Sequence, residues 1–187
     1  MEPSGADVHL TPGSPCIDVG SPLLPLDADG TQADMGAVPF DPAWITGPAS
    51  YCRSTPTNQG CRVELVALGP ASLTAGLDFS AEHAPPLSFG LFFLGTEPNH
   101  QLVPSPVPTL PNTLCVRGAV SRAVVIQSTP SQDPCGGTFA GLVAPTDLIS
   151  AGAQVNSALY GQLWFRDPAT SGSRTAMSSG VYLPIVP

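Results

Sequence analysis

The chain has 187 residues, 42% of them hydrophobic and only 11% charged, with 23 prolines, 19 glycines and a net charge of −8. The apolar content excludes a disordered acidic tail, and the prolines and glycines argue against long helices and for short strands joined by turns. Six arginines and no lysine argue against nucleic-acid binding and against docking on an anionic membrane, which both need clustered cations.

Residues 1–46 read differently from the rest. Short apolar steps (Val8, Leu10, Ile17, Val19, Leu23, Leu24, Leu26) alternate with Pro, Gly and Asp. The pattern suits brief β segments joined by sharp turns. Met1 to Gly5 lacks the cationic start and apolar centre of a signal peptide,. No apolar run reaches the roughly 20 residues that span a bilayer. The composition nevertheless looks secreted, so the chain is expected to be a fragment whose export signal lies upstream. Pro39 to Trp44 forms a proline-bounded aromatic exit, and residues 46–50 read as a linker.

From Tyr51 onward short strands follow one another. Residues 62–68 form the first. Residues 73–82 alternate Leu, Ala, Leu, Phe and Ala with Thr, Gly, Asp, Ser and Glu, the period-2 mark of a half-buried strand,. Residues 87–94 are apolar on both faces and predict a central strand. Residues 97–112 carry five prolines and predict a long loop. Residues 114–118 and 122–127 predict a hairpin turning at Ala119-Val120-Ser121. Residues 138–143, 158–166 and 179–186 predict three more strands, and residues 145–151 a single helical turn. The whole predicts an all-β protein: a capping unit over 1–46 and an antiparallel β-sandwich over 47–187, immunoglobulin-like, fibronectin-III-like or jelly-roll-like, with a closed barrel as the alternative.

Five cysteines leave one over. Cys52, Cys61, Cys115 and Cys135 are expected in disulfides, which implies an oxidising compartment. Sequence leaves the connectivity open. Nearest-neighbour pairing, 52–61 and 115–135, is the expectation. Cys16 follows a proline and has no cation beside it to favour a thiolate, so it reads as a small buried hydrophobe.

The segment Gly13-Ser14-Pro15-Cys16-Ile17-Asp18-Val19-Gly20, with Asp27-Ala28-Asp29-Gly30-Thr31 and Asp34-Met35-Gly36-Ala37 after it, resembles the C-terminal coils of secreted bacterial right-handed parallel β-helix proteins. In those, a GSPCIDAG turn and a D-x-DG…D-x-GA coil close the solenoid. The remainder carries Tyr51-Cys52, Asn58-x-Gly60-Cys61, Leu114-Cys115-Val116 and Trp164-Phe165-Arg166-Asp167-Pro168. It resembles a C-terminal module of large exported proteins from planctomycete-like and myxobacterial-like bacteria. The resemblance implies a secreted or cell-surface location and an upstream β-helix in a longer parent chain as partner. It implies location and architecture but no chemistry; the repeating coils where a polysaccharide-active site would lie are missing, so any such activity of a parent protein is not expected in this chain.

Asp27, Asp29 and Asp34 around Gly30 admit two readings. A Ca²⁺ loop wants several carboxylate and carbonyl oxygens on a tight, glycine-containing turn. A plain turn uses the same aspartates to accept nearby backbone N–H groups. Asp18 fits either. His9, His83 and His100 are too scattered to suggest a metal site. No Gly-x-Ser-x-Gly elbow is present, and Ser171-Gly172-Ser173 has no evident base partner. Glu64, Asp78, Glu82 and Asp167 are available for glycoside cleavage, but Asp78 and Glu82 share the polar face of one strand. Tyr160, Trp164 and Tyr182 have the spacing of a glycan platform, although aromatics on strands more often pack in a core.

The expected function is that of a non-catalytic extracellular module that caps a β-helix and anchors or presents the parent protein. The alternatives are a carbohydrate-binding module, with or without Ca²⁺, and a hydrolase whose site is hidden in the sequence.

Overall fold

A computed structural model describes Leu10 and residues 16–21, 23–27, 32–35, 47–103, 112–167 and 175–187, with side chains described at all of these but 100–103. Within them the chain is all-β and sandwich-like. In order the elements are β1 (Ala49–Tyr51), β2 (Glu64–Ala67), β3 (Ala71–Ser72), β4 (Leu77–Ala84), β5 (Phe89–Gly95), β6 (Glu97–Val103), β7 (Asn112–Arg117), β8 (Ser121–Gln127), β9 (Gly137–Val143), α1 (Pro145–Ser150), β10 (Ala158–Arg166) and β11 (Thr175–Val186).

Three sheets stack. The largest runs β1-β11-β10-β5-β8, with β3 pairing in parallel with the end of β11. Facing it is the sheet β2-β4-β9, and the ribbon β6-β7 forms the third layer. The core lies between the first two. On β4, Leu77, Phe79 and Ala81 point inward while Asp78 and Glu82 face solvent, as the period-2 pattern predicts. Phe79 packs on Phe92 of β5 with ring centroids 4.4 Å apart, and Phe139 of β9 on Phe165 of β10 at 5.7 Å. All four rings are 1% exposed or less. Burial on this scale is worth about 1.5–3 kcal/mol per large side chain, and the fully buried Leu65, Leu77, Leu94, Leu159, Leu163 and Leu183 add to the four rings in one core.

β5 is central, paired with β10 on one side and β8 on the other, as its two-sided apolar sequence predicts. Four expectations need correction. Residues 73–75 lie in a tight turn closed by reciprocal Ser72–Gly76 backbone bonds, so the strand begins only at Leu77. Gly76 sits at φ +89°, and a Cβ there would lie 2.4 Å from the Val143 carbonyl oxygen. Ala49 and Ser50 are strand rather than linker.

Residues 97–103 are strand rather than loop. Pro98 is accommodated because the β6–β7 register shifts between Pro98 and Gln101, and a bulge is where a strand can absorb a missing N–H. The other four prolines of that stretch lie outside the described residues. Residues 114–127 do not form a hairpin either: β7 pairs with β6, and β8 pairs with β5. Gly118 at φ +80° turns the chain from one layer to another.

The disulfide connectivity is also corrected. Cys52 joins Cys115 (Cα–Cα 6.0 Å) and Cys61 joins Cys135 (5.3 Å). Loop length governs only the unfolded state; strand layout decides which thiols meet. β2 and β9 both flank β4 and run the same way, so Cys61 and Cys135, just ahead of them, meet beyond the end of β4. Cys52 leaves β1 in the left-handed region (φ 57°) and meets Cys115 on the ribbon laid over the large sheet. Two disulfides belong to a non-reducing, extracellular type of environment. No helix among the described residues is long and apolar enough to cross a membrane.

Candidate functional site

The chain between Cys16 and Met35 folds back on itself through backbone contacts. The Gly20 N–H donates to the Ala33 carbonyl (2.7 Å) and the Met35 N–H to the Cys16 carbonyl (2.8 Å). Only glycine fits at position 20, where a Cβ would stand 2.4 Å from the Ala33 carbonyl oxygen. Asp34 Oδ1 accepts the Asp18 N–H at 2.7 Å, and Asp27 Oδ2 accepts the Asp34 N–H at 2.8 Å. The two described carboxylates of the aspartate trio thus hold backbone N–H groups together, as a turn requires. Asp29 lies outside the described residues. Among the described residues no three His, Cys, Asp or Glu side chains gather in a way that could hold a metal ion. No strand precedes Ala49 among them.

This folded segment is seated on the sandwich. Ile17, 6% exposed, shares a buried cluster with Tyr51 and the Cys52–Cys115 disulfide, against which Leu10, Tyr160 and Tyr182 also pack. Tyr51 stands edge-on to Tyr160, with centroids 5.6 Å apart at 80°. Its hydroxyl donates to the Cys115 carbonyl. Position 180 on β11 has to be glycine for this: a Cβ would meet the Tyr51 ring at 2.8 Å and Cys115 Cβ at 2.9 Å.

Beneath and beside the seat, Gln162 of β10 is fully buried. Its Nε2 donates to the carbonyls of Thr113 (2.8 Å) and Ser178 (2.9 Å), and its Oε1 accepts the Cys115 N–H (2.9 Å). One amide thereby satisfies both donors and one acceptor position across two layers.

Next to the seat, a groove of about 430 Å³ opens between the edges of the two large layers. It is lined by residues of β1 and β2, among them Ser50, Tyr51 and Glu64, together with Ile17, Arg53 and Arg62. The outer edge of β2 is closed by serines. Ser50 Oγ donates to the Leu65 carbonyl and Ser179 Oγ accepts the Leu65 N–H, each at 2.9 Å. The Ser179 N–H donates to the Val63 carbonyl at 3.0 Å. An edge that would otherwise template another strand is thus used up within the molecule. Arg62 Nη1 donates to the Ser54 carbonyl at 3.0 Å. The Ser50 and Ser179 hydroxyls and one Arg62 nitrogen that line the groove are thus already engaged with backbone groups of the protein itself.

The other candidates disperse. Tyr160 and Tyr182 are register partners with rings 5.7 Å apart, but both pack at the Ile17 seat. Trp164 lies four residues along β10, about 13 Å away at strand rise, and is 40% exposed. Glu64 and Glu82 are direct register partners on β2 and β4. Asp167 is buried and accepts the Asn58 N–H at 2.8 Å, fastening the polar loop between Cys52 and Cys61. His83 is exposed at φ 59° beside the β4 bulge. His9, Trp44, Ser171 to Ser173 and the side chain of His100 lie outside the described residues. Cys16 is half-buried beside Ile17 and outside both disulfides.

Sequence reasoning missed Gln162, Gly180, Ser50 and Ser179. Only Gln162 carried a signal, a lone polar residue between Gly161 and Leu163 on a strand whose alternation is otherwise regular. No known protein family, curated protein or solved structure matches this chain.

Proposed function

We propose that the chain is a non-catalytic extracellular module that terminates and presents a larger exported protein, with residues 1–46 closing a β-helix in a longer parent chain. The observation that supports this reading is the seating of Ile17 on the Tyr51–Cys52–Cys115 cluster. A segment whose sequence resembles a closing coil is fastened to a disulfide-braced sandwich by apolar contact, so load on the one is passed to the other. The paired Cys52 and Cys115 stiffen the seat itself.

The test has two parts. The genomic reading frame upstream of Met1 is expected to continue into repeated coils, and the protein extended by those coils is expected to unfold at a higher temperature than the chain alone. A reading frame that continues into unrelated sequence, or an extension with no effect on the melting temperature, overturns the reading.

A second reading, a carbohydrate-binding module, is favoured by a different observation. Trp164 is 40% exposed on a sheet face outside the Tyr51 seat. A glycan array probed with and without chelator tests it and separates Ca²⁺-dependent from Ca²⁺-independent binding.

A further inference from the structure

On the outer face of the six-stranded sheet, away from the core, an apolar strip crosses four strands. Met177 of β11, Trp164 of β10, Leu91 of β5 and Val125 of β8 are successive register partners. Residues directly opposite in adjacent antiparallel strands share a face. The core-facing residues of the same strands are their neighbours Phe165, Phe92 and Ile126. Trp164 is 40% exposed and Val125 68%, while Phe89, two residues from Leu91 on the same face, is 55% exposed. Single exposed hydrophobics need no explanation, whereas a contiguous strip marks a contact surface.

The charges on the strands of this face are one-sided, and Glu97 on the ribbon laid over the other end of the face is paired with Arg117 at 3.0 Å. Arg166 lies two residues beyond Trp164 on β10, hence on the same face. Arg122 of β8 is the register partner of Phe93, again on that face. Both arginines are exposed. No Asp or Glu occupies β5, β8, β10 or β11. In a chain with fourteen acidic residues and six basic ones, a face with two arginines and no carboxylate on its four strands is complementary to an anion. From strand spacing and rise, the two arginines stand about 16 Å apart across the strip, too far for one small oxyanion. The occupant that fits is extended, has apolar ring faces to lie on Trp164 and Phe89, and carries carboxylates at intervals for the guanidinium forks.

We propose that this face binds an acidic polysaccharide of the uronate class, with Trp164 and Phe89 stacking against sugar rings and Arg166 and Arg122 pairing with carboxylates. The proposal rests on the carbohydrate-binding reading and narrows it to one ligand class and one surface.

The test is affinity electrophoresis of the intact protein through gels containing polygalacturonate, fully methyl-esterified polygalacturonate or neutral xylan. Polygalacturonate is expected to retard the wild type, and its esterified form, which keeps the rings and loses the charge, to retard it at least tenfold less. Trp164→Ala and Arg166→Gln are each expected to weaken retardation at least tenfold. Arg117→Gln, whose arginine is paired with Glu97 at 3.0 Å on the ribbon, serves as the control and is expected to leave retardation unchanged. Far-ultraviolet circular dichroism confirms that each variant is folded. Retardation by xylan and the esterified polymer as strong as by polygalacturonate overturns the uronate assignment and leaves the carbohydrate reading standing. Retardation by none of the three overturns both. Concentration-dependent dimerisation abolished by Trp164→Ala assigns the face to a second copy and overturns the proposal.

Discussion

Gln162 Oε1 accepts the backbone N–H of Cys115 at 2.9 Å, so a side chain of the six-stranded sheet completes the hydrogen bonding of a ribbon that has no ladder to that sheet. The same carboxamide serves two carbonyls with its Nε2. Replacing it by leucine keeps the volume roughly and strips partners from three buried backbone groups. Each such orphan costs about 1–3 kcal/mol. Gln162→Leu is therefore expected to lower the unfolding free energy by about 3 kcal/mol or more, read as a drop in the urea midpoint at unchanged slope. A change under about 1 kcal/mol would show that the ribbon is held by packing alone.

Digestion under non-reducing conditions, followed by mass spectrometry, is expected to give one cross-linked peptide pair containing Cys52 with Cys115 and another containing Cys61 with Cys135. These bridges close loops of 63 and 74 residues in sequence separation. In the chain-entropy picture each is worth about 4 kcal/mol. The double variant Cys61→Ala/Cys135→Ala is expected to lose about 2–4 kcal/mol and to keep the Tyr51 seat, because the other bridge is intact.

Gly180 carries no backbone strain that requires glycine; its role is room for the Tyr51 ring and Cys115 Cβ. Gly180→Val is expected to cost about 1–3 kcal/mol, as overpacking does in close-packed interiors. Because the clash falls on the seat and not on the main core, the near-ultraviolet tyrosine signal is expected to change more than the tryptophan signal. A variant with wild-type stability and an unchanged tyrosine signal would show that the ring has space elsewhere.

Legibility followed the reach of each physical signal. The alternation of Leu77, Phe79 and Ala81 is local, so β4 was readable, as were the two-sided apolar β5 and the single helical turn at Pro145–Ser150. What failed depended on distant partners. β7 and β8 read as a hairpin because a three-residue gap separates them, yet each finds a better partner in another layer. The disulfide pairing failed for the same reason, since Cys61 and Cys135 meet only because β2 and β9 flank one strand. The Ile17 seat was invisible because it joins residues from the first fifth of the chain, β1, β7, β10 and β11, and no local pattern encodes that meeting. The grouping of Tyr160, Trp164 and Tyr182 as a glycan platform rested on strand spacing, which does not encode that the two tyrosines pack at the Ile17 seat while Trp164 stays outside it.

The central claim is that the segment Cys16 to Met35 is fastened to the sandwich through Ile17. Native-state hydrogen exchange at the Asp18, Gly20 and Met35 amides, each of which donates a hydrogen bond within that segment, tests it most directly against an Ile17→Asp variant. The expected result is protection of all three in the wild type and at least a tenfold loss of protection in the variant, a change of about 1.4 kcal/mol, with the Cys115 and Leu163 amides unaffected. Equal exchange rates in the two proteins would contradict the claim.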